Sequence, residues 1–218
     1  SVRQEFGDTV ANRLQLDGKL SFLTINNGKL IEKLHQNNIS ETPLDLVRNG
    51  FYKTNKLKEL LTEDITIPFE IPGENTEEKK ANYVELMVSQ IKLSYPTAVV
   101  AEMINNNEIP LQVNSDIRGS VYQFLNQQQG KFELGIHPIE GYLQKNNLTL
   151  AEPVLAQVKQ LQRLYQISPS DEIMGKLVEK KIDSAYAVIQ YDEREFVNTF
   201  KDVLGGEAVA SLTYAKAH

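Results

Sequence analysis

The chain has 218 residues, enough for one large domain or two small ones with a sizeable core, and its 41% hydrophobic and 24% charged residues are ordinary for a globular protein. A net charge of −6 and a pI near 5.2 argue against a primary nucleic-acid binder, which would show a basic face. The absence of cysteine excludes a disulfide framework, a Cys-ligated zinc and a Cys nucleophile, and no run of about 18 apolar residues offers a spanning helix.

The sequence starts at Ser1 with no signal-peptide pattern after it, which points to a piece of a longer chain. Asp8 to Leu16 carries Val10, Leu14 and Leu16, a weak helical pattern expected to end at the turn dipeptide Asp17-Gly18. Lys19 to Leu34 places Leu20, Leu23, Leu30, Ile31 and Leu34 at helical spacing, and Asn26-Asn27-Gly28 breaks it into two short helices or one irregular one. A strand over residues 20–25 stays open as an alternative, because Phe22, Thr24 and Ile25 suit a pleated surface. Thr42-Pro43 predicts a helix start, a capping hydroxyl followed by proline, with Gly50 just past the helix end. Asn55 to Leu61 predicts another short helix.

Ile65 to Pro72 is extended, since Pro68 and Pro72 lack amide donors and bias Ile67 and Ile71 away from helix. This strap is expected to pack its Ile and Phe side chains onto the helices. Asn75 with Glu78 predicts a capping box opening a long helix, whose core face is Val84, Met87, Ile91 and Tyr95, widened by Tyr83 and Leu86. Tyr95-Pro96 ends that helix, and Thr97 to Ile104 supplies another apolar turn or two. Asn105 to Asn114 reads as a polar loop. Ser115 caps a helix through Gln127, and His137-Pro138 starts a short one closed by Asn146-Asn147. Thr149 and Glu152 predict a second capping box, Ser168-Pro169 a cap for the next helix, and Asp183 and Asp192 the starts of two more. Gly205-Gly206 ends the last of these before a final alanine-rich helix.

About ten helices with short connections make an all-α fold, an irregular helical domain with two subdomains. The N-terminal one covers 1–104 and carries the Ile-Pro strap, the C-terminal one covers 115–218, and 105–114 connects them. No internal repeat is visible.

The chemistry-bearing residues do not gather into a motif. His35, His137 and His218 lack His-x-x-x-His or Glu-x-x-His spacing, so no helical metal pair exists. His35 reads as a solvated helix end, His137 as a turn residue, and His218 as the last residue. Gly205-Gly206 lacks the further glycines and the Lys-Ser/Thr of a phosphate loop. The acid pairs Glu77/Glu78, Asp171/Glu172 and Asp192/Glu193 sit at predicted helix starts, where the dipole favours negative charge. Gly-x-Ser-x-Gly is absent, and Ser120 reads as a packing residue. Lys176, Glu179, Lys180 and Lys181 read as a solvated surface. The nine Tyr and eight Phe fall mostly on apolar faces. The expectation is therefore no catalytic, cofactor-binding or metal residue.

Pro43-Leu44-Asp45-Leu46-Val47 with Gly50-Phe51-Tyr52, Ile67-Pro68 to Ile71-Pro72-Gly73, Asn82-Tyr83 and Tyr95-Pro96-Thr97-Ala98 occur in that order. Arg163-Leu164-Tyr165 with Ser168-Pro169, Asp183-Ser184-Ala185, Phe196, Gly205-Gly206-Glu207-Ala208 and Tyr214-Ala215-Lys216-Ala217 follow. Together they resemble the helical N-terminal region of the Tc insecticidal toxin A subunits and their virulence-plasmid A-protein relatives, over about Leu20 to Ala217. Packing and turn residues carry the resemblance; no catalytic signature does.

The resemblance implies a very large secreted or cell-surface toxin component. Such subunits assemble as pentamers around a translocation channel, with the helical region in the outer shell and a distant helical pair forming the channel. The expected role is a non-enzymatic shell module without cofactor. Its partners would be other domains of the parent chain and neighbouring subunits of a homo-oligomer, not nucleic acid, and it would not itself insert into a membrane. Two other readings stand beside it: a helical module binding a protein or peptide in a groove, and an enzyme of unknown type.

Overall fold

The computed structural model describes residues 2–218, with side chains from residue 10 onward. Ser1 and the side chains of Asp8 and Thr9, part of the first predicted helix, lie outside the described residues. Thirteen helices and no strand occur among the described residues, so the fold is all-α. The chain divides after Tyr95 into two compact units.

In the first unit α1 (Val2–Leu23) does not stop at Asp17-Gly18. Leu16, Leu20 and Leu23 form one buried stripe across that dipeptide, and Asp17 accepts a hydrogen bond from Arg13 Nε one turn back (3.3 Å). A mid-helix glycine costs only about 1 kcal/mol against alanine, less than burying two leucines returns. The strand alternative for residues 20–25 is not realised. The helix reaches Leu23, and Ile25 and Asn26 then turn through positive φ (52° and 57°). The Tyr83 hydroxyl donates to Thr24 O at this turn, and burial pushes that phenol up to about 12.

Asn27 caps α2 (Gly28–Gln36) by accepting from Leu30 N. α3 (Asp45–Arg48) starts later than Thr42-Pro43 implies. The Asp45 carboxylate accepts from both Glu41 N and Thr42 N (3.0 Å each), so residues 42–44 form a turn around it. Gly50 follows with φ 80°, and then α4 (Thr54–Leu60).

The strap departs from expectation at its centre. Ile65 and Ile71 are buried, but Phe69 is 88% exposed. Ile71 N donates to Pro68 O (3.1 Å), closing a turn that has Phe69 at a central position, and central turn residues face outward. Asn75 caps α5 (Thr76–Ser94) through Glu78 N, while Glu78 Oε2 accepts from Glu74 N, one residue short of the reciprocal box. Tyr83, Val84, Met87, Val88 and Ile91 are buried, and Leu86 faces out.

The second unit opens on α6 (Pro96–Asn105), whose residues from Thr97 to Ile104 are all buried. The connecting loop expected at 105–114 is therefore not the joint. The division falls at Tyr95-Pro96, and Ile109 and Leu111 of the loop are buried core. Its backbone folds back, with Glu108 N and Ile109 N donating to Met103 O (2.7 and 3.1 Å). Asn114, not Ser115, caps α7 (Ser115–Gln127), accepting from Ile117 N (2.9 Å). Pro138 precedes α8 (Ile139–Lys145).

The Thr149/Glu152 box does not form: Ala151 precedes α9 (Glu152–Ile167) without a side-chain cap. The Ser168 hydroxyl donates back to Leu164 O (2.6 Å) and closes α9, leaving Ser170 to cap α10 (Asp171–Glu179). Gly175 of α10 sits so close to the loop that a Cβ there would lie 2.5 Å from Glu108 O. Ser184 caps α11 (Ala185–Ile189), and Asp192 caps α12 (Glu193–Leu204). Gly205 in the left-handed region ends α12, and α13 (Glu207–Ala217) lies along it, with Tyr214 against Phe196 (5.8 Å).

Candidate functional site

The histidines do not converge. His35 is half-buried rather than solvated: Nδ1 donates to Ile39 O (2.5 Å) and Nε2 meets Asp17 Oδ1 (2.7 Å). It ties α1 to the end of α2, and the hollow of about 490 Å³ beside it also holds Arg13 and Glu32. Asp17 is already engaged by both Arg13 and His35, so no free carboxylate–imidazole pair faces that hollow. His137 Nδ1 accepts from Glu133 N (3.0 Å), which places the ring proton on Nε2. His218 lies by the Tyr214 ring.

Ser120 is exposed and donates to Asp116 O (2.8 Å), a back-bonded helix serine rather than a packed one. Lys180 and Lys181 are exposed, as the sequence suggests. Among the described residues, no group of three His, Cys, Asp or Glu is placed to hold a metal, and every buried side-chain nitrogen and oxygen has a partner. No helix of the described residues is long and apolar enough to cross a membrane.

What stands out is surface. α1 has two apolar faces. Opposite the buried Leu16–Leu20–Leu23 stripe, Val10, Leu14 and Phe22 project at spacings of four and eight, exposed by 43, 54 and 67%. Gly18 lies in line between Leu14 and Phe22, with open space where a side chain would stand. Residues four apart on a helix stack along one face, so these side chains make an apolar row on one side of α1, with a gap at Gly18.

In the second unit the segment 134–140 runs over the surface between α8 and α9. Gln162 of α9 fastens it three times. Its Oε1 accepts from Ile139 N (3.0 Å), and its Nε2 donates to Leu134 O (3.1 Å) and His137 O (2.7 Å). From beneath, the Thr97 hydroxyl accepts from Leu134 N (3.0 Å) and donates to Glu133 Oε2 (2.7 Å). Phe132 sinks into a ring cluster with Phe124 and Tyr142. Ile136 is left outside, 73% exposed. Hollows of about 320 and 340 Å³ flank the segment and share His137 and Pro138.

No protein-family model, curated protein or solved structure matches the chain. Sequence reasoning missed both surfaces. The α1 strip was masked because apolar residues on two sides of a helix blur the one-sided periodicity that marks a core face. Around 134–140, only Lys159 and Arg163, four apart on one helix, gave a local signal.

Proposed function

We propose that the chain is a non-enzymatic helical module that holds neighbouring parts of a larger assembly in register, in the manner that the likeness to the shell of Tc toxin A subunits implies. The outer strip of α1 carries this reading. An exposed apolar row on a surface helix marks an interaction site, and each large side chain covered there contributes about 1.5–3 kcal/mol. The covering partner in this reading is another domain of the parent chain or a neighbouring subunit.

The test is photo-cross-linking in the source cell from a benzoylphenylalanine placed at position 22. The expected product joins this region to a distant part of its own reading frame or to a second copy. A reading frame that holds little beyond these residues, together with no cross-link to a second copy, would overturn the proposal.

A further inference from the structure

We propose that the segment 134–140 and its two flanking hollows form a docking surface for an acidic segment of a partner protein. The surface belongs to the unit after Tyr95 and does not depend on the α1 strip.

The charge on this surface runs against that of the chain. One hollow is lined by Lys159 and Arg163 of α9, the other by Lys131 of the connection before α8 and Lys145 at the end of α8. The only carboxylate on either lining is Glu140, which is spent on Lys159 at 2.6 Å. Glu133 borders the segment, but its Oε2 is turned inward to Thr97. Among the described residues, no acceptor pairs with the ammonium groups of Lys131 or Lys145. Arg163 uses Nε on a backbone oxygen, Asp183 O at 3.3 Å, and among the described residues it pairs with no carboxylate. With Lys159 and Glu140 paired to each other, Lys131, Lys145 and Arg163 leave a surplus of three positive charges in a chain whose net charge is −6.

Complementary potentials of this kind set partner choice and speed encounter. The shape adds a second requirement. Exposed Pro138 lines both hollows, on a segment that Gln162 holds still, and Ile136 stands out two residues away on the lining of the first. The fitting ligand therefore carries Asp or Glu side chains on both sides of an apolar residue. A nucleic acid fits less well. Tyr142 is buried with its hydroxyl donating to Gln128 Oε1 (2.8 Å), and half-buried His137 is the one other ring on the two linings, so the surface lacks the row of open rings on which successive bases stack.

Fluorescence anisotropy on the full chain tests this with a labelled peptide rich in Asp and Glu around a central Leu. Controls are the same peptide with Asn and Gln, its Lys and Arg counterpart, and a single-stranded oligonucleotide. The acidic peptide should bind saturably, and its affinity should fall as salt rises. The double variant Lys131→Glu/Lys145→Glu should weaken it by about tenfold or more, and Ile136→Ser should weaken it without changing the salt dependence. The exposed lysines can be exchanged without touching the core, and an unchanged circular dichroism melt verifies the fold. Leu14→Ser, in the other unit, should leave peptide affinity as it is, which separates this surface from the α1 strip. Binding that ignores the lysine variant, equal binding of the Asn/Gln peptide, tighter binding of the oligonucleotide, or no binding at low salt would each overturn the proposal.

Discussion

Two irregular stretches of this molecule look alike as sequence and are held differently at their centres. Residues 61–75 of the first unit and 105–114 of the second both carry isoleucine followed by proline: Ile67-Pro68 and Ile71-Pro72 in one, Ile109-Pro110 in the other. The first buries Ile65 and Ile71 at its ends but is tied down from outside along its length. Asn27 Nδ2 donates to Thr66 O, Lys29 Nζ to Asp64 O and Asn82 Nδ2 to Pro72 O, all at exposed positions, while Phe69 projects into solvent. The second is held from inside, with Ile109 wholly buried and its backbone pressed against Gly175. Proline sets where each chain bends, but it does not decide which side chain goes under. The neighbouring helix decides that, by offering either polar side chains to hang from or a bare glycine to sink against.

Substitutions can break the contrast, and the largest effect belongs to the buried loop. Ile109→Ala should destabilise the chain by about 2–5 kcal/mol in urea unfolding, the range for truncating a buried aliphatic side chain. A loss under about 0.5 kcal/mol, the size of a neutral surface change, would make the loop a connector after all. Gly175→Ala should follow, at about 1–3 kcal/mol, because the new methyl meets a backbone oxygen that cannot swing aside.

A smaller effect belongs to the strap. A hydrogen bond from Lys33, and a second from Thr62, hold the exposed Asp64 carboxyl down from 3.8 to about 2. A depressed carboxyl stabilises the fold above its unfolded value and loses that contribution as pH falls through the folded one. The gap in unfolding midpoint between the native chain and Asp64→Asn should therefore be present above pH 3.8 and close as pH approaches 2. A gap that widens on acidification would contradict the assignment. Phe69→Ala should do least, within about 0.5 kcal/mol.

Local signals were legible in the sequence, and long-range ones were not. Asn75 and Asp192 cap the helices that their residue type and the acid three positions on announce, and Gly205 ends α12 in the left-handed region as a terminal glycine does. Each of these signals is complete within one turn of chain. Thr149 and Glu152 carried an equally good pattern, but the helix start at Ala151 went uncapped, so a capping box in sequence permits a bond without compelling it. The division of the chain was misplaced because 105–114 is polar on average, and the burial of Ile109 and Leu111 and the contact with Gly175, far along the chain, depend on the fold. The basic surface was illegible for the same reason. Lys159 and Arg163 share one face of α9 by their spacing, but Lys131 and Lys145 are brought to the same segment only by the fold.

The three hydrogen bonds from Gln162 have a consequence for how any visitor is received. A backbone stitched down at Leu134, His137 and Ile139 has already surrendered its conformational freedom in the unbound molecule. Ordering a slack stretch on arrival costs roughly 1–2 kcal/mol per residue, and here that cost was met during folding. The free and occupied forms of this stretch should share one outline, so adaptation falls to the incoming chain.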